Sequence, residues 1–338
     1  MIDKILTVSV AAYNGAKTLS KALDSCLCRK MGALEVLVVD DGSSDETPEI
    51  VAQYEKLFPG TFRLIRQCNR GYGSTINRTI ADASGRYFRT LDCDDWFSPG
   101  CVESFIEYLQ NCTSDMIYTN YQTVYHNTEK DRFDVCAGRC AEKMYRWEEL
   151  ESGLSCMQMH AMTFRTAMLR QAGFTLPEHC YYTDMLYTFC VAQASESIQF
   201  CPVQLYNYRL GRDGQSVGLK SYQNHMDDFI KVVCCICERA GLLGHETIKE
   251  NILRHRAGKV AQEGIELYLR FPFHKETWKE LCSYDKLIRN EFPEIAQEMT
   301  NKDTALLRKS QYFLFPALTL YKQSKSSAFA SRPFLHKT

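Results

Sequence analysis

No apolar run in this chain approaches the roughly 20 residues that a bilayer-spanning helix needs, so none of it reads as a membrane span. No charge sign dominates: 40 Lys and Arg stand against 41 Asp and Glu, for a net charge of -1. Without a basic field nothing gathers a phosphate backbone, and nucleic acid is not an expected partner. The N-terminus, Met1-Ile2-Asp3-Lys4, lacks the charged region, apolar core and cleavage site of an export signal. A cytoplasmic protein is therefore expected. No G-x-G-x-x-G follows the first apolar run, which argues against an NAD-type dehydrogenase. Internal repeats and long low-complexity linkers are missing as well.

Cysteine, by contrast, is plentiful, at 16 residues. Without an export signal these read as reduced thiols acting as small core hydrophobes. Cys234 and Cys237 have C-x-x-C spacing, and Cys136 and Cys140 lie four apart. The first pair sits in a helix-like run and no second tight pair completes a zinc signature. The 338 residues, 45% of them hydrophobic, are enough for one large domain or two smaller ones.

Strands and helices alternate from the start. Ile5 to Ala12 is apolar and β-branched, and Tyr13-Asn14-Gly15 is a turn. Leu19, Ala22, Leu23, Cys26 and Leu27 then have helical spacing. Leu34 to Val39 is a second strand, followed by Asp40-Asp41-Gly42-Ser43-Ser44. Ser43 with Glu46 fits a capping box, and Pro48 suits a first helical turn. Phe62 to Gln67 is a third strand, Asn69 to Gly73 a glycine-punctuated loop, and Ile76 to Ala83 a helix closed by Gly85. Tyr87 to Leu91 is the fourth strand. This pattern predicts an α/β fold with a mostly parallel sheet and helices on both faces. Ligands bind beyond the carboxyl ends of such strands. Tyr13, Asp40, Asp41, Asn69, Asp92 and Asp94 all fall there.

The fourth strand ends in Asp92-Cys93-Asp94-Asp95. Carboxylates at the end of an apolar run need cations, donors or water. One solution is a divalent metal carrying phosphate oxygens, for which hard carboxylates suit Mg²⁺ or Mn²⁺. The other is a helix start, with Ser98 as cap and the acids near its positive end. Tyr13 can stack on a base, or be an ordinary half-buried aromatic. Asp40 and Asp41 can accept from a nucleoside, or form a capping turn.

Later elements are less regular. A helix over 102–109 and a strand from Met116 to Val124 precede a polar stretch, Asn127 to Cys140. Trp147 to Leu154 reads as a short helix, and Met157 to Phe164 is apolar around His160. Thr183 can cap a helix carrying Met185, Leu186 and Phe189. A strand over 198–208 leads to the turn from Arg209 to Ser216, and helical patterns dominate after Ser221.

The order Ala12-Tyr13-Asn14, Val-Val-Asp-Asp-Gly-Ser-Ser-Asp, Asn-x-Gly-x-Gly and Gly-Arg-Tyr-x-x-x-Leu-Asp-Cys-Asp-Asp resembles the family 2 glycosyltransferases, which have the GT-A fold. The resemblance covers roughly residues 4 to 216 and is densest up to Pro99. It implies an inverting, metal-dependent transfer of sugar from a nucleotide donor, UDP-linked by expectation. Ala11, Tyr13, Asn14, Asp40, Asp41, Asn69, Gly71, Asp92 and Cys93 would then line the nucleotide-sugar site, with Asp94 as metal ligand for Mn²⁺ or Mg²⁺. Asp184 falls where the family carries its catalytic base in an acid pair. Here Thr183 replaces the first acid, and Ala11 stands where Pro is frequent. Arg209 and Arg212 would close over the donor diphosphate, and His160 and Trp96 would face the acceptor. The motif Q-x-x-R-W of processive members is absent, which argues for single transfers.

The implied acceptor is a hydroxyl of a glycan or lipid-linked saccharide. Tyr312 to Tyr321 is apolar and is followed by Lys322, Lys325, Arg332 and Lys337. That mixture suits peripheral docking at the inner membrane face, or a terminal helix covering the core. The expected organisation is a GT-A domain over 1–220, donor half 1–100 and acceptor half 101–220, with a helical region over 221–338. Two other readings are a sugar nucleotidyltransferase, for which the loop 11–15 is poor in glycine and basic residues, and a non-catalytic sugar-nucleotide-binding protein.

Overall fold

The computed structural model describes residues 3–125, 129–150, 157–212 and 215–327. The chain divides into two compact units, residues 1–210 and 211–337.

The first unit is built on one mixed sheet. It opens with β1 (Leu6–Ala12), α1 (Ala16–Asp24), β2 (Leu34–Asp40), α2 (Thr47–Leu57), β3 (Phe62–Arg66), α3 (Tyr72–Asp82) and β4 (Tyr87–Asp92). β1 lies between β2 and β4, with β3 beyond β2, and all three pairings are parallel. The register decides the site: Ala11 pairs with Asp92, and Ala12 with Asp40. Acids 52 positions apart in sequence thereby reach one rim. β1 is buried on both faces, so its hydroxyls need partners. Ser9 Oγ is 2.7 Å from Thr79 Oγ1, and Thr7 donates to Glu35 at 2.7 Å.

The second half of this unit mixes directions. It runs β5 (Trp96–Phe97), α4 (Cys101–Gln110), β6 (Met116–Tyr125), β7 (Glu129–Phe133), β8 (Tyr145–Arg146), β9 (Met162–Arg165), α5 (Thr166–Gln171), α6 (Thr183–Ala194) and β10 (Ser197–Leu210). β9 joins β4 to β6 by antiparallel pairing, β10 runs parallel to β6, and the short β5 closes the edge antiparallel to β10. The long ladders remain parallel, as the alternation predicts.

Several local expectations meet different geometry. α1 ends at Asp24, so the stripe stops at Leu19, Ala22 and Leu23. Burying each leucine there is worth about 1.5–3 kcal/mol. Ser43 does not cap α2. Its hydroxyl accepts from Asn14 N at 2.9 Å, while Asp45 accepts from Thr47 N at 3.1 Å. Gly85 does not close α3, which ends at Asp82; a Cβ there would lie 2.5 Å from Thr7 N. Its role is close approach to β1. Ser98 does not cap α4, whose flanking residue is Gly100 at φ 75°. Its hydroxyl accepts instead from Asn207 at 3.1 Å. The polar stretch from Asn127 supplies strand β7. Trp147–Glu149 is a single 3₁₀ turn, and 151–154 of that expected helix lie outside the described residues.

The second unit is helical, with α7 (Leu219–Asn224), α8 (Met226–Gly241), α9 (Ile248–Tyr268), α10 (Lys275–Glu291), α11 (Pro293–Glu298), α12 (Lys302–Lys309) and α13 (Phe315–Ser327). Thr247 and Glu250 form a true capping box on α9. Gly264 of α9 lies where a Cβ would meet the Tyr284 ring at 2.5 Å, so α9 and α10 pack at close range. Cys237 is buried on α8, and among the described residues every cysteine is an unbridged thiol. No described helix is long and apolar enough to cross a membrane.

Candidate active site

The rim loops of β1, β2 and β3 are tied together by side chains. Asn14 adopts φ 50°, a left-handed conformation that Asn tolerates. From there its amide oxygen accepts from Ser44 N at 2.9 Å, joining the first two loops. Tyr13 beside it is 55% exposed, open to stacking. Asp40 is buried, accepts from Ser43 N at 2.9 Å and lies 3.4 Å from Arg66 Nε. Asp41 is buried too. Its carboxylate accepts from Gln67 Nε2 at 2.7 Å, Arg70 N at 2.9 Å and Gly71 N at 2.8 Å. Asp41 thus organises the glycine loop, with Asn69 exposed upon it. Gly71, at φ 83°, leaves room for His179 N, which a Cβ would approach to 3.2 Å. A Cβ on Gly73 would meet Pro177 O at 2.5 Å. These two glycines let α3 pack against the segment that leads into α6.

That segment delivers Asp184 to the first turn of α6, where the helix end favours a carboxylate. The flanking residue is Tyr182, at φ 63°; Thr183 is the first helical residue rather than the cap, and its hydroxyl is buried without a partner. Asp184 is half-buried, and its charge acts on both Tyr72 and Asp92. Tyr72 is held at the same point. Its hydroxyl lies 3.5 Å from Met159 Sδ, and the charge of Asp92 acts on it. Burial first, then the charges of Asp92 and Asp184, hold the Tyr72 phenol well above its usual range.

The acids after β4 differ from one another. Asp95 is buried and fully engaged: Tyr206 donates to one oxygen at 2.7 Å and Arg209 N to the other at 2.7 Å. It belongs to a turn, with its N–H on Asp92 O at 3.0 Å, and not to the start of α4. Asp94 is half-buried, and its charge helps to raise both neighbours. Asp92 has a buried Oδ1 with no hydrogen-bond partner. Burial, then Asp94, pushes its pKa up to about 7. Cys93 lies between them, its sulfur 3.0 Å from a Cβ placed on Gly15.

His160 is 6% exposed and sits among aromatic rings, 3.9 Å from Tyr208 and 5.0 Å from Tyr206 between centroids. Its Nδ1 has no hydrogen-bond partner. Burial, then the Arg89 guanidinium, holds its pKa down at about 3. Asp92, Asp95 and His160 can bring one ligand atom each within 4.8 Å of one another. Hard, like-charged oxygens and an orphaned buried Oδ1 fit a divalent cation. Of these three, Asp92 has the unpartnered oxygen, since those of Asp95 already accept hydrogen bonds, and Asp94 is not in the group. Trp96 is half-buried, with Lys21 and Arg209 at its ring. Arg212 falls in the second unit, exposed, its N–H on Gln215 at 3.1 Å.

Sequence reasoning missed Tyr72, Tyr206 and Arg89. Tyr72 stands between two glycines, a place where a large ring has a reason to be. Arg89 and Tyr206 interrupt apolar strands, and buried polar groups must find partners. Arg89 is fully buried and donates to Thr163 at 2.8 Å and Thr119 at 3.2 Å.

The family profile "Glycosyl transferase family 2" matches residues 7–174, the span that holds the rim loops and the acid cluster. The chain belongs to glycosyl transferase family 2. Among relatives of this family 2 chain, EpsH of Bacillus subtilis is 26% identical over 210 residues, 61% of this chain and 60% of that protein. Chondroitin synthase of Escherichia coli is 25% identical over 244 residues, 70% of this chain and 33% of that one. The succinoglycan biosynthesis protein ExoO of Rhizobium meliloti is 40% identical over 108 residues, about 30% of each. The matched segments thus span less than two thirds of these relatives' lengths. Among solved structures, S. aureus TarS 1-349 in complex with UDP-GlcNAc has a TM-score of 0.63 at 17% identity, over 87% of this chain and 88% of that one. Mannosyltransferase PcManGT from Pyrobaculum calidifontis, in complex with GDP-Man and Mn²⁺, has a TM-score of 0.54 at 16% identity, over 97% and 88%. The fold is GT-A.

Proposed function

We propose that this chain is a metal-dependent, inverting, non-processive glycosyltransferase that moves a sugar from a UDP-sugar to a hydroxyl of a glycan or lipid-linked saccharide. The observation that carries this reading is Asp92, a half-buried carboxylate with one buried, orphaned oxygen, next to Asp94 and within the field of Asp184. Ala11, Tyr13, Asn14, Asp40 and Asn69 form the nucleoside pocket, whose floor Asp41 shapes by holding Gly71 and its loop. Asp92 and Cys93 border the ribose and sugar. Asp94, with Asp92, is the site for Mn²⁺ or Mg²⁺, which when bound neutralises the leaving diphosphate.

Asp184 takes the proton of the acceptor hydroxyl as that oxygen attacks the anomeric carbon. The bond to the diphosphate breaks as the new C–O bond forms on the opposite face, so configuration inverts. Arg209 offsets the negative charge that leaves. Trp96 receives the acceptor. His160 is buried, so we assign it to supporting Asp92 and Asp95 from beneath.

We place the protein in the cytoplasm, with Phe313, Leu314, Leu320 and Tyr321 available for contact with the inner membrane face. All four are exposed in the second unit. The test of the enzymatic reading is nucleotide release from a panel of UDP- and GDP-sugars with Mn²⁺, together with melting-temperature shifts. A UDP-sugar should be turned over, and Asp184→Asn should lose turnover while keeping the UDP-induced shift. Absence of both turnover and shift across the panel would sink the reading.

A further inference from the structure

His160 sits on the 3₁₀ turn Met159–Ala161, just ahead of β9. Its ring is wedged among aromatic rings: Tyr208 stacks on it at 3.9 Å, Tyr121 at 5.8 Å, and Tyr206 meets it edge-on at 5.0 Å. The backbone is pinned as well, since the His160 carbonyl accepts from the fully buried Arg89. A neutral imidazole has one nitrogen to donate and one to accept. Aromatic faces answer neither need, and its Nδ1 is buried without a hydrogen-bond partner. Leaving such an atom unmatched costs about 1–3 kcal/mol.

One side of that ring is not apolar. A ring nitrogen of His160 and one oxygen each from Asp92 and Asp95 lie within 4.8 Å of one another. Asp92 also carries an oxygen that is buried and unpartnered. The two side chains do not satisfy each other, because Asp92 Oδ1 and His160 Nδ1 both lack a hydrogen bond. Opposite ligands of a small divalent ion bound at about 2.1 Å stand roughly 4.2 Å apart, so a slight side-chain rotation closes the group onto an ion. The acid turn is already held for it. Tyr206 Oη accepts from Asp92 N at 3.2 Å and donates to Asp95 at 2.7 Å. The Asp95 oxygens keep lone pairs beyond the hydrogen bonds they accept.

We propose that His160 is a direct nitrogen ligand of the divalent cation, sharing it with Asp92 and Asp95, and that this nitrogen biases the site toward Mn²⁺ over Mg²⁺. Imidazole is a softer donor than carboxylate. Mg²⁺ keeps to oxygen and water, whereas first-row transition ions accept nitrogen. The supporting role given to His160 above thereby becomes a bond. The ion's part in catalysis rests on the sugar-transfer reading; its ligands rest on the geometry alone.

The test is pulsed electron paramagnetic resonance of the full chain with Mn²⁺, in the presence and absence of UDP. The echo modulation should carry the coupling of a directly bound ¹⁴N, replaced by that of ¹⁵N when the chain is grown on ¹⁵N-histidine. His160→Phe should remove the coupling and weaken Mn²⁺ binding about tenfold or more. Mg²⁺ should need about tenfold or more the concentration of Mn²⁺ to raise the wild-type melting temperature equally. Bound Mn²⁺ without nitrogen coupling, coupling that survives His160→Phe, equal potency of Mg²⁺, or no Mn²⁺ bound in either state would each overturn the proposal. The wild-type spectrum decides even where the variant fails to fold. Mn²⁺-dependent turnover of a UDP-sugar without nitrogen coupling sinks this proposal alone. Nitrogen coupling without turnover of any UDP- or GDP-sugar sinks sugar transfer and keeps the site.

Discussion

Two carboxylates with buried oxygens, one in each unit, are treated in opposite ways. Asp285, in α10 of the helical unit, is fully buried. Arg308 donates to both its oxygens, at 2.8 and 3.2 Å, Arg289 Nε lies 3.2 Å away, and Tyr312 donates as well. Every lone pair there has an answer within the chain. Asp92 has one carboxylate oxygen with none, and its nearest charged neighbours at the end of β4 are acids. A protein that can close a buried acid so completely in one place, and does not in another, points to a ligand that completes the second. Asp41 lies on the closed side of the comparison, since its donors are a side-chain amide and two loop N–H groups.

The largest effect expected from this contrast is on chemistry. Asp94→Ala should lower Mn²⁺-dependent nucleotide release by about a thousandfold or more, as loss of a charge-stabilising group does. Release within tenfold of wild type would remove Asp94 from the metal site. The closed acid should respond in stability instead. Asp285→Ala strands Arg308 and should cost about 3–5 kcal/mol in urea unfolding. The double variant with Arg308→Met should recover part of that; a cost under about 1 kcal/mol would show that the network adds little.

A third test concerns His160 beneath the open site. A histidine held neutral by burial, with its pKa depressed to about 3, binds fewer protons folded than unfolded. Stability should therefore be intact above about pH 6.5, the unfolded value, and fall as pH drops toward 3, by up to about 1.4 kcal/mol per unit. His160→Phe, in a site already lined by Tyr206 and Tyr208, should flatten that slope in a melting-temperature series. An unchanged slope would mean that the acid loss arises elsewhere. Asp92 works against it, since its raised pKa makes the folded state weaken as pH climbs from about 4 to about 7.

The smallest effect tests the helical unit's surface, which is less closed than its core. Phe313 is 81% exposed. Phe313→Asp should reduce co-sedimentation with anionic phosphatidylserine vesicles by about fivefold. Equal sedimentation would remove this residue from any membrane contact.

The strands β1 to β4, the helices between them and the acids at their ends were legible because apolar periodicity and turn chemistry are local. So was the helical character of the second unit. Caps were read less well. Ser43, Ser98 and Thr183 have the right side chains, but the Ser43 hydroxyl accepts from a loop N–H, that of Ser98 accepts from Asn207 on β10, and that of Thr183 is buried without a partner. Gly85 looked like a helix stop and is a contact point, because spacing cannot tell left-handed geometry from close approach.

The sequence by itself determined the parallel half of the sheet and which residues crowd its rim, since both follow from the order of short periodic segments. Tertiary structure decided how those acids differ. Asp92, Asp94 and Asp95 are nearly contiguous and chemically alike. Yet Tyr206 and Arg209, from a strand more than a hundred residues later, engage Asp95 and leave an oxygen of Asp92 unanswered. Which carboxylate oxygen lacks a partner depends on what the rest of the chain brings beside it, and no local pattern encodes that.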